Sequence, residues 1–217
     1  IITKNIKYFY TTSQGSIKNT KMSHQQKIAD FLKQRVDVDE QEIAEFSQMF
    51  VEKKLRKKQL LVQPGFVAKY RFCVVEGALR SFILTDAGQE VTIALAIEDW
   101  WITDYNSYIF QQPATMFVEA VSNATVLQLS YDSEQKLKSG NRKFETFFRI
   151  IAERGLAAQQ RRMIAQHTQS AEQRYENFVK NYPRFVNDVP QYIIASYLGM
   201  STEFLSKIRN NKVSRKS

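Results

Sequence analysis

Between residues 59 and 130 the sequence breaks into short runs rich in branched and aromatic residues: QLLV (59–62), YRFCVVEG (70–77), ALRSFILT (78–85), EVTIALAI (90–97), MFVEAVS (116–122) and ATVLQLS (124–130). Turn signals separate them at Pro64-Gly65, Glu76-Gly77, Asp86-Ala87-Gly88 and Ser122-Asn123. Links this short cannot hold a crossover helix, so neighbouring strands must run antiparallel. Evenly spaced short strands of this kind predict an antiparallel β-roll or sandwich, a class that includes the double-stranded jelly-roll. Arg80 alternating with Leu79 and Phe82 predicts that its strand keeps one wet face.

The apolar period is helical on both sides of this region. Ile28, Phe31 and Leu32 mark one amphipathic helix, and Ile43, Phe46, Met49 and Phe50 a second, with Asp39 as a cap between them. After Ser133 a short helix runs to about Ser139 and Gly140 ends it. A long helix follows from about Asn141 to His167. Its apolar stripe is Phe144, Phe147, Phe148, Ile151, Ala158 and Ala165. A single long helix with such a stripe usually meets a copy of itself, so these six residues are the expected homodimer interface. The fold class is therefore α+β.

A helix over 170–181, with Tyr175, Phe178 and Val179 inward, leads through YPRF to the stretch IASYLGMSTEFLSKIRNNK, residues 194–212. Val189-Pro190 starts a helix there, Gly199 ends it in the left-handed conformation, and Ser201 caps the next. Ile193, Ile194, Tyr197 and Leu198 recur at helical spacing in the first helix, and Leu205 and Ile208 share one face of the second with Phe204 beside them. Ala195 is small enough for a close crossing. Glu203, Ser206, Lys207 and Asn210 fall at i, i+3, i+4 and i+7 on the opposite face. This is what a helix-turn-helix requires, one face locked and the other free to reach base edges. Lys207 can donate to guanine and Glu203 can accept from cytosine. Thr202, Arg209 and Lys212 are placed to donate to phosphates. A helical hairpin with a solvated polar face is the competing reading of the same pattern.

Charge favours the nucleic-acid reading. Residues 1–132 hold 15 Lys+Arg and 15 Asp+Glu, whereas residues 133–217 hold 16 and 7, so the whole net charge of +9 lies in the C-terminal part. A neutral module joined to a basic one points to double-stranded DNA rather than a membrane, because the apolar positions of the basic part are committed to packing. Cys73 is the sole cysteine, inside the apolar run FCVV, and it reads as a core residue of a cytoplasmic protein. With two histidines far apart in sequence, no metal, cofactor or catalytic residue is expected. Residues 1–21 carry four lysines and no acid and read as an upstream extension or disordered, or else as a basic arm that orders on a partner. The expected domains are 22–139 for the roll with its flanking helices, 140–168 for the dimerisation helix and 169–217 for DNA binding.

Taken in order, VVEGALR (74–80), DAGQE (86–90), VEA (118–120) and IASYLGMSTEFLSKIR (194–209) give the chain a clear resemblance to the Crp/Fnr family of bacterial transcription regulators over about residues 24–212. The resemblance implies a cyclic-nucleotide-binding-like roll, a dimer seam on the long helix and a winged-helix-like C-terminal domain whose second helix reads DNA. No wing hairpin is expected after that helix. It also implies RNA polymerase as a partner. The family has Glu and Arg at the positions of Glu203 and Lys207. This chain keeps the acid and replaces the planar guanidinium with a point charge, which predicts weaker discrimination for guanine.

Relatives that bind cyclic AMP carry Gly-Glu and Arg-Ser/Thr pairs in the stretch matching 97–120. Here Ile102-Thr103 and Ala114-Thr115 stand in those places, so the ribose acid and the phosphate cation are both missing. A phosphodiester without a cation loses its strongest contact. The degenerate pocket is expected around Trp100, Trp101, Thr103, Tyr105, Ala114 and Thr115. The aromatic residues there, with Tyr108 and Phe110, either plug it or stack on an unidentified small-molecule effector. A cyclic-nucleotide-gated regulator using other cations, such as Lys69, Arg71 or Arg80, is the alternative.

Overall fold

A computed structural model describes residues 24–214, with His24, Arg184, Phe185, Asn187 and Lys212 to Ser214 described by backbone alone. The reading of residues 1–21 as an extension lies outside the described residues. Two helices open this region, α1 (His24–Lys33) and α2 (Glu40–Gln48). Asp39 caps the second in a reciprocal box: its side chain accepts from the Glu42 amide, and Glu42 accepts from the Asp39 amide.

Eight strands follow: β1 (Val51–Leu55), β2 (Leu60–Val62), β3 (Tyr70–Glu76), β4 (Leu79–Leu84), β5 (Glu90–Ala96), β6 (Trp101–Ile102), β7 (Phe117–Ala120) and β8 (Ala124–Ser130). They form two antiparallel four-stranded sheets, ordered β1-β8-β3-β6 and β2-β7-β4-β5. This is the expected roll. The structure adds β1 and β6, and between β6 and β7 a short helix α3 (Tyr105–Phe110) that the periodicity did not show. The β1 sequence VEKKL carries no strand signal because four of its five residues are exposed on an edge. Its pairing with β8 is what makes it a strand.

The strand period decides what each sheet face meets. Phe72 and Val74 point between the sheets, into a core with Leu79, Ile102, Val118 and Val126. Cys73 and Val75, one residue out of step, point to the other side and pack with Phe46, Leu127 and Leu129. That second core explains why FCVV is apolar throughout: both of its faces are covered. Gly77 (φ +85) makes the tight link to β4, where a Cβ would lie 2.5 Å from the Asn123 carbonyl oxygen.

The chain then turns helical, through α4 (Tyr131–Gly140) and α5 (Arg142–Thr168). The break falls at Asn141, one residue beyond the expected Gly140, where an extended backbone lets the Asn side chain cap α5. Phe144, Phe147 and Phe148 are 0%, 0% and 2% exposed and stack on Phe46, with Phe147 also reaching Phe31 of α1. Their assignment to a self-association face is therefore corrected, because they belong to this chain's own core. Ile151 is half-buried against the same cluster.

Four further helices complete the described chain: α6 (Ala171–Asn181), α7 (Pro183–Asp188), α8 (Gln191–Leu198) and α9 (Thr202–Ser214). Their core joins Tyr175, Phe178, Ile193, Ile194, Leu198, Leu205 and Ile208 to Ala78, Leu95 and Val121 of the roll. The outer face of the second sheet is thus covered by α8, and Arg80 is 2% exposed. The expected wet face of its strand is buried under the C-terminal helices.

Candidate nucleic-acid interface

The turn between α8 and α9 is built from local signals. Gly199 takes φ +68, its amide donates to the Ser196 carbonyl, and the Met200 amide reaches the Ala195 carbonyl at 3.0 Å. Ser201 accepts from the Phe204 amide at 3.1 Å and starts α9. Leu205 and Ile208 then bury against Ile193, Ile194, Ala195 and Leu198. A fully buried alanine at 195 leaves the room a crossing helix requires.

With one face of α9 locked, Glu203, Lys207 and Asn210 lie exposed on the other, and Ser206 is half-buried beside them. Glu203 accepts from its own amide and from the Ser201 hydroxyl, which holds its carboxyl below the ordinary range. The acid stands exposed in the first turn of the helix. Thr202 and Arg209 are half-buried at its flanks. Lys212 is in the last turn of α9 and its side chain lies outside the described residues.

This pair of helices is tied to the roll. The Thr92 amide donates to the Ser196 hydroxyl oxygen at 2.8 Å, and that hydroxyl donates to the Glu90 carbonyl at 3.4 Å. Beneath α8, Arg80 donates to Glu119 at 2.7 Å and to Glu90 at 2.5 Å, and its guanidinium lies 5.8 Å from the Tyr192 ring.

The predicted effector residues are not gathered around one space. Trp100 packs at the inter-sheet core and meets Tyr182 of the C-terminal helices edge-on at 5.3 Å. Trp101 points the opposite way, among Phe31, Phe50, Phe147 and Phe148. The two tryptophans pack against different cores and so do not share a pocket. Thr103 is buried and donates its hydroxyl to the Tyr70 carbonyl. Ala114 is buried, whereas Tyr105 and Phe110 remain exposed.

Sequence reasoning missed the group at the centre of this region, Asp104. It is 0% exposed. One carboxylate oxygen accepts from the Ser107 amide at 3.1 Å. The other accepts from the Thr115 amide at 2.9 Å, the Met116 amide at 3.1 Å and the Thr115 hydroxyl at 3.4 Å. The segment to which the resemblance assigns a bound phosphate thus carries its own anion. The spacing of Asp104 and Ser107 ahead of YIF is a capping signal and was the available clue.

Of the candidate replacement cations, Arg71 and Arg80 are engaged, and Lys69 is exposed. Arg71 pairs with Glu134 of α4 at 2.9 Å and lies 4.9 Å from the Trp101 ring. Glu134 further accepts from the Tyr108 hydroxyl at 2.8 Å and pairs with Lys138. Burial opposes ionisation of both partners and is outweighed by their neighbours taken together, Tyr105, Glu134 and Tyr108 around the guanidinium and Arg71, Lys138 and Tyr108 around the carboxylate. The guanidinium is held above its ordinary value and the Glu134 carboxyl below its own. Burial, with Glu134, also pushes the Tyr108 hydroxyl up.

No family model and no curated relative matches this chain. Its fold, however, is shared with solved structures. It is similar to FixK2 from Bradyrhizobium japonicum, with 18% identity over 77% of this chain and 86% of that one, at TM-score 0.69. It is similar to the c-di-GMP responsive global regulator CLP of Xanthomonas campestris, with 13% identity over 82% and 93%, at TM-score 0.63. A CooA mutant from Carboxydothermus hydrogenoformans is 18% identical over 77% and 78%, at TM-score 0.59. These are Crp/Fnr family regulators with a cyclic-nucleotide-binding-like fold, and the α+β fold of this chain is theirs.

Proposed function

We propose that this chain is a DNA-binding transcription regulator that acts as a homodimer on a pseudo-palindromic site. The observation that carries this reading is the exposed row Glu203, Lys207 and Asn210 on a helix whose opposite face is locked by α8. Thr202, Arg209 and Lys212 serve the flanking phosphates, and Ser206 joins the base-reading row. Half-sites lie about one helical turn, ~34 Å, apart. RNA polymerase is the partner through which such a regulator acts.

The second copy docks on α5, where Ile151, Ala158 and Ala165 of the expected seam are joined by residues that the sequence pattern does not select. Leu156 and Met163 are 63% and 60% exposed, stand seven residues apart, and follow exposed Ala152. At about 100° per residue, these three share a stripe roughly a third of a turn from Ile151, Ala158 and Ala165, all three half-buried. Seven-residue spacing of large apolar groups on a bare helix is the pattern of a two-helix seam. Ile164, 61% exposed, borders it.

The roll is a degenerate nucleotide domain: Asp104 takes the amide donors, and Arg71 and Arg80 are neutralised by Glu134, Glu90 and Glu119. Any effector is therefore something other than a cyclic nucleotide held in the ordinary way. The test is selection of duplexes from a randomised pool by the purified chain. A two-fold symmetric site is the expected product, with Lys207→Ala losing preference for that site over random duplex by about 1–3 kcal/mol. Equal loss on both duplexes would reject the base-reading role.

A further inference from the structure

Helix α8 ends with carbonyls that no later amide of its own can reach, as every helix does. Two are served inside the turn, Ala195 and Ser196. Two at the very end of the helix, those of Leu198 and Gly199, are served from outside by one side chain. Arg174, in the first turn of α6, donates through Nε to the Leu198 carbonyl at 3.0 Å and through Nη2 to the Gly199 carbonyl at 3.5 Å. Its remaining nitrogen, Nη1, donates to the Gln169 carbonyl at 2.7 Å. Gln169 is the residue that ends α5.

One guanidinium therefore holds three backbone carbonyls from two places: the end of the long helix and the turn before the reading helix. Its rigid fork suits this task, and its charge suits the negative end of α8. The linker itself is fixed around it. Ser170 and Gln173 form a reciprocal capping box, and Asn177 donates to the Gln169 side chain at 3.1 Å. A parallel tie runs from Arg162 of α5 to the Tyr197 ring of α8, at 4.8 Å.

We propose that Arg174 is a positioning residue: it makes α5 and the reading helix one body, so that the geometry of self-association sets the separation of the two reading helices. This rests on the DNA-binding reading above, and it assigns Arg174 no contact with DNA. A lysine in its place keeps the charge but has one nitrogen, and it can satisfy only one of the two places at a time.

The experiment uses the full chain with Arg174→Lys and, beside it, Arg174→Ala. Amide exchange is the first readout. In Arg174→Lys the amides of Gly199, Met200 and Ser201 should exchange at least tenfold faster, with those of β3, β8 and the first half of α5 unchanged. Binding to the duplex selected by the wild-type chain and to random duplex, across a salt series, is the second. Specific affinity should fall at least tenfold in both variants, while random-duplex affinity and its salt slope stay as in the wild type. Unchanged exchange at the turn, or a rise spread evenly over the roll, would overturn the proposal. So would equal loss on both duplexes with a salt slope smaller by about one, which marks a phosphate contact. If the wild type selects no duplex, the DNA-binding reading fails, and the exchange readout alone judges the clamp.

Discussion

Asp104 offers the sharpest test of how this roll is held together. Replacing it with asparagine keeps the shape and changes one oxygen into an NH2 donor. In one orientation that donor faces the Thr115 and Met116 amides, 2.9 and 3.1 Å from the present oxygen. In the other it faces the Ser107 amide, at 3.1 Å. The second orientation leaves fewer donors opposed, so the side chain will adopt it. One buried amide then lacks an acceptor, costing about 1–3 kcal/mol. The Thr115 and Met116 amides also exchange a charged acceptor for a neutral one, which roughly halves each bond. The expected loss for Asp104→Asn is about 2–4 kcal/mol, and Asp104→Ala, which orphans three amides, should lose more. Urea unfolding followed by tryptophan fluorescence reads this directly, since Trp100 and Trp101 lie a few residues away. A loss below about 0.5 kcal/mol for Asp104→Asn, with Asp104→Ala no worse, would refute the claim that this carboxylate organises the segment.

Two further outcomes follow from the same geometry. Leu156→Glu places a charge in the exposed stripe of α5 and touches no core residue, so sedimentation should show monomers where the wild type forms dimers. Dimers persisting in Leu156→Glu would place the seam elsewhere. The Glu134 carboxyl is held below its ordinary range once burial is offset by Arg71 and Lys138. Its stabilisation is thus full above the unfolded-state value near pH 4.3 and is lost as pH falls through the lower folded value. Glu134→Gln should unfold more readily by about 3 kcal/mol at neutral pH, because Arg71 is left buried and unpaired. It should also lose part of the acid sensitivity in urea melts, and an unchanged pH profile would contradict the pairing.

The local devices were legible because their partners are a few residues away. Asp39, Gly199 and Ser201 act on amides and carbonyls within four residues, and the residue types that can do so are few. The exposed polar row of α9 was legible for a related reason, since a helix fixes which of its side chains share a face. Arg80 and the Phe144, Phe147 and Phe148 group were misplaced because a period shows which face is apolar or charged and is silent about what will cover it.

From the sequence alone came six of the eight strands and the helices around them apart from α3 and α7, the antiparallel roll, the break at Gly199 and the polar row of α9, all properties of short-range sterics and spacing. Tertiary structure alone decided that α8 roofs the second sheet, that three phenylalanines close the core and Leu156 and Met163 stay bare, and that Asp104 gathers amides from residues 115 and 116. It also brought Arg174 to carbonyls at both Gln169 and Leu198. Each of these depends on segments meeting after the chain has folded back on itself, and separation along the chain carries no record of that meeting.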